Sequence, residues 1–334
     1  MRFSFTDDQL AFRDAVRAFL EKECPAEVVR AAWEGKPTDL WPRLAEMGVA
    51  GMTAPEEYGG LGLDELDLVL ILEEAGRAGL PEPLLDTTAV AIPLLADAGG
   101  PVAKRWLPRL ASGEATAATG FGVAPLIADA DRADVVLDDH DGCVHAIECV
   151  ACDLTERPAI DRAHRIFAVA WSADKETKVE GADLALAEDR GSLAAAAQLV
   201  GLAARMIAMT VEYAKEREQF GKPIGSFQAV QHHLADALMR VEFARPVVYR
   251  AAHAVAHREA DRPMRVSMAK ALASRAAEGA AKTALQVHGA IGYSWEHDLH
   301  LFMKRAWSLA AAWGDVSFHR GRVRHWLRDQ GEST

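Results

Sequence analysis

The feature that most constrains the fold of this chain is an apolar stripe in its second half. Five side chains follow one another at intervals of three, four, three and four residues: Leu199, Leu202, Met206, Met209 and Tyr213. This spacing places all five on one face of a long α-helix. A second stripe lies between 227 and 255, and an Ala-rich helix is expected over 264–288, after Pro263. Long helices with one apolar face predict a helical bundle over 184–334.

The first part of the chain also shows helical patterns. Thr6 stands before Asp7 and Asp8, and Gln9 follows three residues after the threonine, which is the pattern of a capping box. Further helices are expected near 41–47 and over 64–78. These patterns predict an N-terminal helical domain over 1–112.

The segment between the helical parts has a different pattern. An Asp-Gly pair at 141–142 separates two apolar runs, which is a strong signal for a β-hairpin over 135–147. Another strand is expected over 166–171. The sequence therefore predicts a mainly α protein in which a small middle β domain, 113–183, separates the two helical parts.

Composition narrows the class of protein. The chain of 334 residues carries 37 Lys and Arg against 49 Asp and Glu, a net charge of −12, which argues against general nucleic-acid binding. Four Cys are too few for a secreted disulfide scaffold of this length. The N-terminus has no signal-peptide pattern, and no uninterrupted apolar run is long enough to cross a membrane. We therefore expect a cytoplasmic protein without a membrane span.

Two glycine-bearing turns are candidate ligand sites. The turn 217–225 joins two predicted helices and carries Arg217 and Lys222, and cations beside a helix start suit an anion such as a phosphate. The alternative, which composition favours, is an ordinary turn with solvated charges. In the segment 286–293, Gly289 and Gly292 permit close approach of a ligand, but a helix C-cap explains them as well.

Metal binding is a weaker possibility. Cys149 and Cys152 have a spacing that can bind zinc, but no second pair follows them, and small residues alternating along a strand explain them better. His297 and His300 are interpreted as part of a polar helix start. We therefore expect no metal site.

Three segments together resemble the acyl-CoA dehydrogenase family. The stretch 213–236 resembles the family's Arg-x-x-Phe-Gly motif followed by Phe-Gln, and 286–297 resembles its Gln-x-x-Gly-Gly-x-Gly-Tyr segment. Residues 44–79 resemble the pattern of its first domain. The resemblance implies an N-terminal helical domain, a middle β domain and a C-terminal four-helix bundle. It also implies FAD as cofactor, an acyl-CoA thioester as substrate, and an electron-acceptor flavoprotein as partner.

The resemblance also implies which residues contact the cofactor. In dimers of the family these segments reach across the interface to the neighbour's FAD, with the arginine near the pyrophosphate and the second segment near the adenosine. The corresponding residues of this chain are Arg217, Gln219, Phe220, Gln228, Gln286, Gly289 and Ala290. Ala290 stands where the family has a glycine, which alters that contact.

The chain departs from the family where the catalytic base is expected. Trp313 occupies the position of the family's glutamate, in the segment 311–315. Some members place a glutamate ten residues before a glycine in the first bundle helix, but counting back from Gly201 leads to Gly191. Glu188 and Asp189 are near position 191, but they are expected on a different face of the helix from it or in the preceding turn, since each residue turns a helix by about 100°. The middle domain is short, and its flavin-contacting segments are not recognisable.

These departures favour a division of labour between two chains. The hypothesis is a subunit of a heteromeric acyl-CoA dehydrogenase that has no catalytic residue of its own and lends FAD contacts to a related subunit. The resemblance extends to actinobacterial heterotetramers that act on CoA thioesters of steroid side chains and other bulky acyl groups. One alternative is a self-sufficient homodimer whose base is Glu188, Asp189 or Glu296. The other is a non-catalytic interaction protein.

Overall fold

The N-terminal part is helical, as its sequence pattern predicts. The computed structural model describes residues 4–122 and 126–331. In the first helix, α1 (Asp7–Glu23), the hydroxyl of Thr6 accepts from the backbone N–H of Gln9, whose side chain accepts from the backbone N–H of Thr6. The predicted capping box is thus confirmed. The other helices are α2 (Ala26–Trp33), α3 (Leu40–Glu46), α4 (Glu65–Ala78), a π-helical segment (Leu85–Ala91), α5 (Ile92–Ala98) and α6 (Gly100–Ala111). The sequence interpretation assigned no helix to α2, the π-helical segment, α5 or α6.

The middle part consists of two small sheets. In the first, β1 (Ala117–Gly120) runs parallel to β3 (Val135–His140), and β3 pairs antiparallel with β4 (Cys143–Glu148). Asp141 and Gly142 connect β3 to β4 with φ values of +51° and +73°, which confirms the predicted hairpin. The second sheet has the order β2 (Ile127–Ala128), β6 (Ile166–Ala170), β5 (Asp153–Arg157).

The C-terminal part is a bundle of long helices. Its elements are α7 (Leu184–Glu216), a short hairpin of β7 (Glu218–Gln219) and β8 (Lys222–Pro223), then α8 (Gln228–Ala256), α9 (Arg262–His288), α10 (Leu299–Ala311) and α11 (Val316–Gly331). Of the five stripe residues, Leu199, Leu202 and Met206 are fully buried in α7, as their spacing predicts, whereas Met209 and Tyr213 are half-buried. One continuous apolar core joins this bundle to the N-terminal helices. The mainly α layout is confirmed, while the three domain boundaries stay predictions.

By length and apolar composition alone, helix α7 could cross a membrane. The sequence interpretation expected no segment of this kind. The helix has 33 residues and an apolar window of mean hydropathy 1.5, and 72% of that window is buried inside the protein. The burial follows from its central place in the bundle, where α4, α8, α9 and α10 pack around it. A helix that is packed on all sides in a protein core carries apolar residues on all of its faces.

The structure corrects one local prediction in the middle part. Cys149 and Cys152 do not lie on a strand: Cys149–Ala151 forms a 3-10 turn between β4 and β5. The thiol of Cys149 donates to the carbonyl of Ala130 at 3.0 Å. Burial raises the pKa of both thiols, which keeps them protonated.

Two glycines allow α4 and α7 to pack closely. A Cβ on Gly76 would lie 2.1 Å from the backbone oxygen of Gln198, and one on Gly201 would lie 1.9 Å from the backbone oxygen of Glu73. These distances are far inside van der Waals contact, so a methyl group at either position forces the two helices apart. The N-terminal part is therefore joined to the bundle by backbone-to-backbone contact.

Replacing Gly76 with alanine is expected to destabilise the protein by about 1–3 kcal/mol, because the methyl group overpacks the α4–α7 contact. The matched control is Gly321→Ala on α11, where a Cβ meets nothing within 4 Å. That control is expected to be neutral or slightly stabilising, since alanine has the higher helix propensity. Urea unfolding monitored by circular dichroism checks both variants. Equal stability of the two would contradict the close contact.

Candidate functional site

A cavity lies where the three parts of the chain meet. Its volume is about 450 Å³, within the range of small-molecule sites. The loop 82–86, strand β1, the loop between β5 and β6, and helices α7, α10 and α11 all contribute to its wall. The site is thus assembled from segments that are distant in the sequence.

Trp313 lies in the wall of this cavity, at the turn between α10 and α11. Its φ of +57° is in the left-handed region, which a bulky residue rarely adopts. The indole packs over Gly191 so closely that a Cβ there would lie 2.3 Å from the ring. Phe121, which directly follows β1, meets it edge-on with the ring centroids 6.3 Å apart. An aromatic side chain therefore fills the place where the sequence resemblance puts a carboxylate.

Side chains from three helices hold this turn in place. The carbonyl of Trp313 accepts from Ser192 Oγ of α7 at 3.1 Å and from the ring of His319 of α11 at 2.9 Å. Lys270 of α9 donates to the carbonyls of Ala310 and Gly314 at 3.1 and 3.0 Å. These donors satisfy backbone oxygens at the end of α10, so the conformation of Trp313 is fixed by tertiary contacts.

The three alternative bases lie in very different surroundings. Asp189 is completely buried and accepts from Arg262 Nε at 2.7 Å and Arg322 Nη2 at 2.8 Å. Glu296 is exposed and does not line the cavity. Glu188 does line the cavity, and burial raises the pKa of its carboxyl. Of the three, only Glu188 is placed where it could meet a ligand in the cavity.

Part of the cavity wall is polar, and the sequence interpretation did not predict it. This part contains Glu82, Asp86, Asp161, His164 and Arg305. Asp161 forms a buried ion pair with Arg305, which also donates to the carbonyl of Leu80 at 3.1 Å. Burial raises the pKa of Asp86 to about 7, and Thr119 donates to its carboxyl. The only sequence signal was a pair of acidic residues among prolines and leucines at 81–86, which identifies no partner.

The first group of expected cofactor residues lies outside the cavity. Phe220 and Gly221 form the tip of the β7–β8 hairpin with φ values of +54° and +77°, and Phe220 is 92% exposed. Arg217 is exposed, and no ion pair or side-chain hydrogen bond of its guanidinium is found among the residues that the structure describes. Gln219 and Gln228 are exposed on the same turn. This turn therefore presents its polar groups outward.

The second group lies at the same end of the bundle. Gln286, Gly289 and Ala290 are exposed at the end of α9. The ring of Tyr213, four residues before Arg217, stacks on that of His288 with centroids 4.3 Å apart. The structure thus brings both expected segments near one another, and none of the seven expected cofactor residues lines the cavity.

The exposed residues have the chemistry that FAD requires. A guanidinium suits a pyrophosphate, and glutamine amides suit the hydroxyls and ring nitrogens of an adenosine. Gly289 ends α9 with φ of +65°, and its lack of a side chain permits close approach of a ligand. As a set of hydrogen-bonding groups these exposed residues fit the cofactor.

The histidines near the end of α9 lie among aromatic side chains. No group of three His, Cys, Asp or Glu suited to a metal is found within 4–122 and 126–331. His300 is buried between Trp33 and Trp295, so the segment is less polar than the sequence interpretation expected. Burial lowers the pKa of His300 to about 4, which keeps it neutral.

Known proteins are similar to this chain in sequence and in fold. The model of the acyl-CoA dehydrogenase N-terminal domain matches residues 6–114, and that of the C-terminal domain matches 181–327. Acyl-CoA dehydrogenase IpdE2 of Mycobacterium tuberculosis is 36% identical over 304 residues, which covers 90% of this chain and 91% of that protein. Its namesake in Mycolicibacterium smegmatis is 34% identical over 305 residues, covering 90% and 93%. The solved ChsE4-ChsE5 complex from Mycobacterium tuberculosis contains a chain with a TM-score of 0.85 and 26% identity, covering 99% of each chain.

Proposed function

The chain belongs to the acyl-CoA dehydrogenase family of oxidoreductases, and from this premise we propose that it is the base-less subunit of a heteromeric member. In this proposal a related second chain supplies the catalytic glutamate and most of the flavin's cradle. The observation that carries the proposal is the place of Trp313 in the cavity wall, held by Ser192, His319 and Lys270. An indole cannot take the α-proton from a thioester.

The position of the cofactor residues supports the same proposal. All seven are exposed and lie outside the chain's own cavity, as expected for groups that complete a neighbour's site. Arg217 would face the FAD pyrophosphate, and the segment from Gln286 to Ala290 would face the adenosine. When bound, FAD supplies the acceptor for the substrate's β-hydride. This chain's own contribution is to bind and orient the cofactor. One structural neighbour, the ChsE4-ChsE5 complex, is made of two differently named chains.

The proposal extends to the substrate and to the electron acceptor. We propose a CoA thioester with a bulky acyl group, of which steroid side chains are one class, and reoxidation by an electron-acceptor flavoprotein. The support for both is the resemblance to heteromeric members of the family. Turnover assays of the complex with straight-chain and polycyclic acyl-CoA substrates decide the first part.

The visible absorption spectrum tests the subunit proposal. We expect the chain to be colourless when purified alone, and the complex with a related chain from the same genome to carry about one flavin per pair of chains. Arg217→Met in this chain is expected to weaken flavin retention by the complex about tenfold or more, because a charge-assisted hydrogen bond is lost. The matched control, Arg157→Met, removes an exposed arginine at the end of β5 and should leave flavin content unchanged.

One observation favours a second candidate, the self-sufficient enzyme. Glu188 lines the cavity with a raised pKa, as a general base often does. A chain that is fully loaded with flavin by itself, and whose turnover is abolished by Glu188→Gln, would establish this alternative. That pair of results would also overturn the subunit proposal.

A further inference from the structure

The cavity has an apolar body. Strand β1, the following loop and the helices of the bundle contribute this part of the wall. The apolar lining includes Leu85, Phe121, Leu126, Ile166, Leu309 and Phe318. Such a lining favours a hydrocarbon skeleton over a polar ligand, because burial of apolar surface is the main attractive contribution.

Three carboxyl groups face the same cavity without a cationic partner. They belong to Glu82, Asp86 and Glu188. Within the described parts of the chain, no Lys, Arg or His nitrogen lies within 4.0 Å of these carboxyls. Two of them accept from hydroxyl groups: Thr38 donates to Glu82, and Thr119 donates to Asp86.

The cations that line the cavity are engaged elsewhere. Arg305 is paired with Asp161 and donates to the carbonyl of Leu80. Arg322 donates to Asp189 at 2.8 Å. His164 contacts the carboxylate of Asp129, which is itself buried. A ligand carboxylate entering this cavity would therefore meet carboxyl groups and no uncommitted cation among the described lining residues.

Burial changes the protonation of these carboxyls and therefore the hydrogen bonds that they can form. It raises the pKa of Glu82 and Glu188, and that of Asp86 to about 7, so the neutral form of each is reached more readily than in water. A neutral carboxyl can donate a hydrogen bond through its O–H and accept one through its carbonyl oxygen. Ketone and hydroxyl oxygens are suitable partners for such groups, whereas an anionic ligand is not.

We propose that this cavity binds a neutral hydrocarbon ligand bearing a ketone or hydroxyl oxygen, and that Asp86, together with Glu82, recognises that oxygen by hydrogen bonding. Both carboxyls lie on the loop and π-helical segment after α4, where π-helical turns often mark functional positions. The proposal goes beyond the assignment of a subunit role, because it holds whichever chain supplies the catalytic base.

A series of ligands with one common skeleton tests the proposal on the full chain. The probes are 4-tert-butylcyclohexanone, the corresponding alcohol, the corresponding carboxylate, and the parent hydrocarbon tert-butylcyclohexane. We expect ligand-observed NMR at neutral pH to show the ketone and the alcohol binding at least about tenfold more tightly than the carboxylate, since burying an uncompensated charge is costly. They should also bind more tightly than the hydrocarbon. Failure of the ketone to bind, or a carboxylate or hydrocarbon that binds as tightly, would overturn the proposal.

Two variants of Asp86 assign the recognition to this residue. Asp86→Leu is expected to weaken ketone binding by about three- to tenfold, the effect of one hydrogen bond. Asp86→Asn keeps a neutral donor of the same size and should retain binding. The control, Glu57→Gln, removes an exposed carboxylate outside the cavity and should have no effect. Unchanged binding by Asp86→Leu would exclude the residue. If that variant does not fold, loss of ketone binding by Asp86→Asn would exclude the proposed neutral donor.

The two proposals fail independently. Flavin content of the chain and of the complex decides the subunit role, and ligand binding by the same chain decides the role of the cavity. A chain that binds the ketone but carries a full complement of flavin by itself would refute the first proposal and leave the second standing.

Discussion

Replacing Asp189 with asparagine is expected to lower the free energy of unfolding by about 3–5 kcal/mol, the usual cost of removing one partner from a buried ion pair. The carboxylate is completely buried and holds Arg262 and Arg322, whose side chains are 14% and 25% exposed. The amide has the same shape but no charge, so both guanidinium groups lose their counter-ion. Because these arginines come from α9 and α11, the packing of both helices against α7 weakens together.

The measurement is urea unfolding of the variant and of a matched surface control. Asp14→Asn removes a carboxylate that is 59% exposed and paired with Arg13. For such a pair the expected change is only about 0–1 kcal/mol. If Asp189→Asn proved as stable as the parent but lost turnover, Asp189 would be a catalytic group, and its assignment as a structural ion-pair partner would be wrong.

The second large effect concerns pH and the buried amine of Lys270. Its side chain is fully buried, and burial lowers its pKa from 10.5 to about 7, while Asp315 and Glu278 act in the opposite direction. Between pH 7 and pH 10.5 the unfolded chain therefore binds a proton that the folded chain does not. Stability must rise with pH in this window, because proton binding favours the unfolded state. Below pH 7 both states hold the proton, and this contribution is constant.

The test compares the parent with Lys270→Met, which keeps the side-chain length and removes the amine. Over this window, the unfolding free energy of the parent should rise relative to the variant by up to about 1.4 kcal/mol per pH unit. Taking this difference removes the titration of other groups that both proteins share. Lys282→Met, on the exposed face of α9, should run parallel to the parent. Parallel curves for parent and Lys270→Met would mean that the buried amine stays charged in the folded protein.

Lys270 also helps to hold the turn that carries Trp313, so Lys270→Met removes contacts of this turn. Lys270 donates to the carbonyls of Ala310 and Gly314, and the ring of His319 donates to the carbonyl of Trp313 and accepts from the hydroxyl of Ser267. Burial lowers the pKa of His319 to about 4, and the charge of Lys270 lowers it further. The end of α10 is therefore held by a buried amine and a neutral imidazole.

The sequence determined the local structure of this protein to a large extent. The capping box of α1 and the Asp-Gly hairpin of β3 and β4 are specified by residues only one to three positions apart. The apolar stripe of α7 is a periodic pattern that needs no knowledge of its partners. The motifs of 213–236 and 286–297 likewise identified the family, because their residue types and order are visible without a structure.

The tertiary structure alone decided which side chains form a site. Asp161 and Arg305 are an ion pair, and Asp86 meets Thr119, although each pair is far apart along the chain. Glu188 and Asp189 are adjacent, yet one faces the cavity and the other is enclosed by two arginines. A helix rotates by about 100° per residue, so one position changes the environment entirely. Sequence patterns report local geometry and burial, whereas the partner of a charged group depends on how distant helices pack.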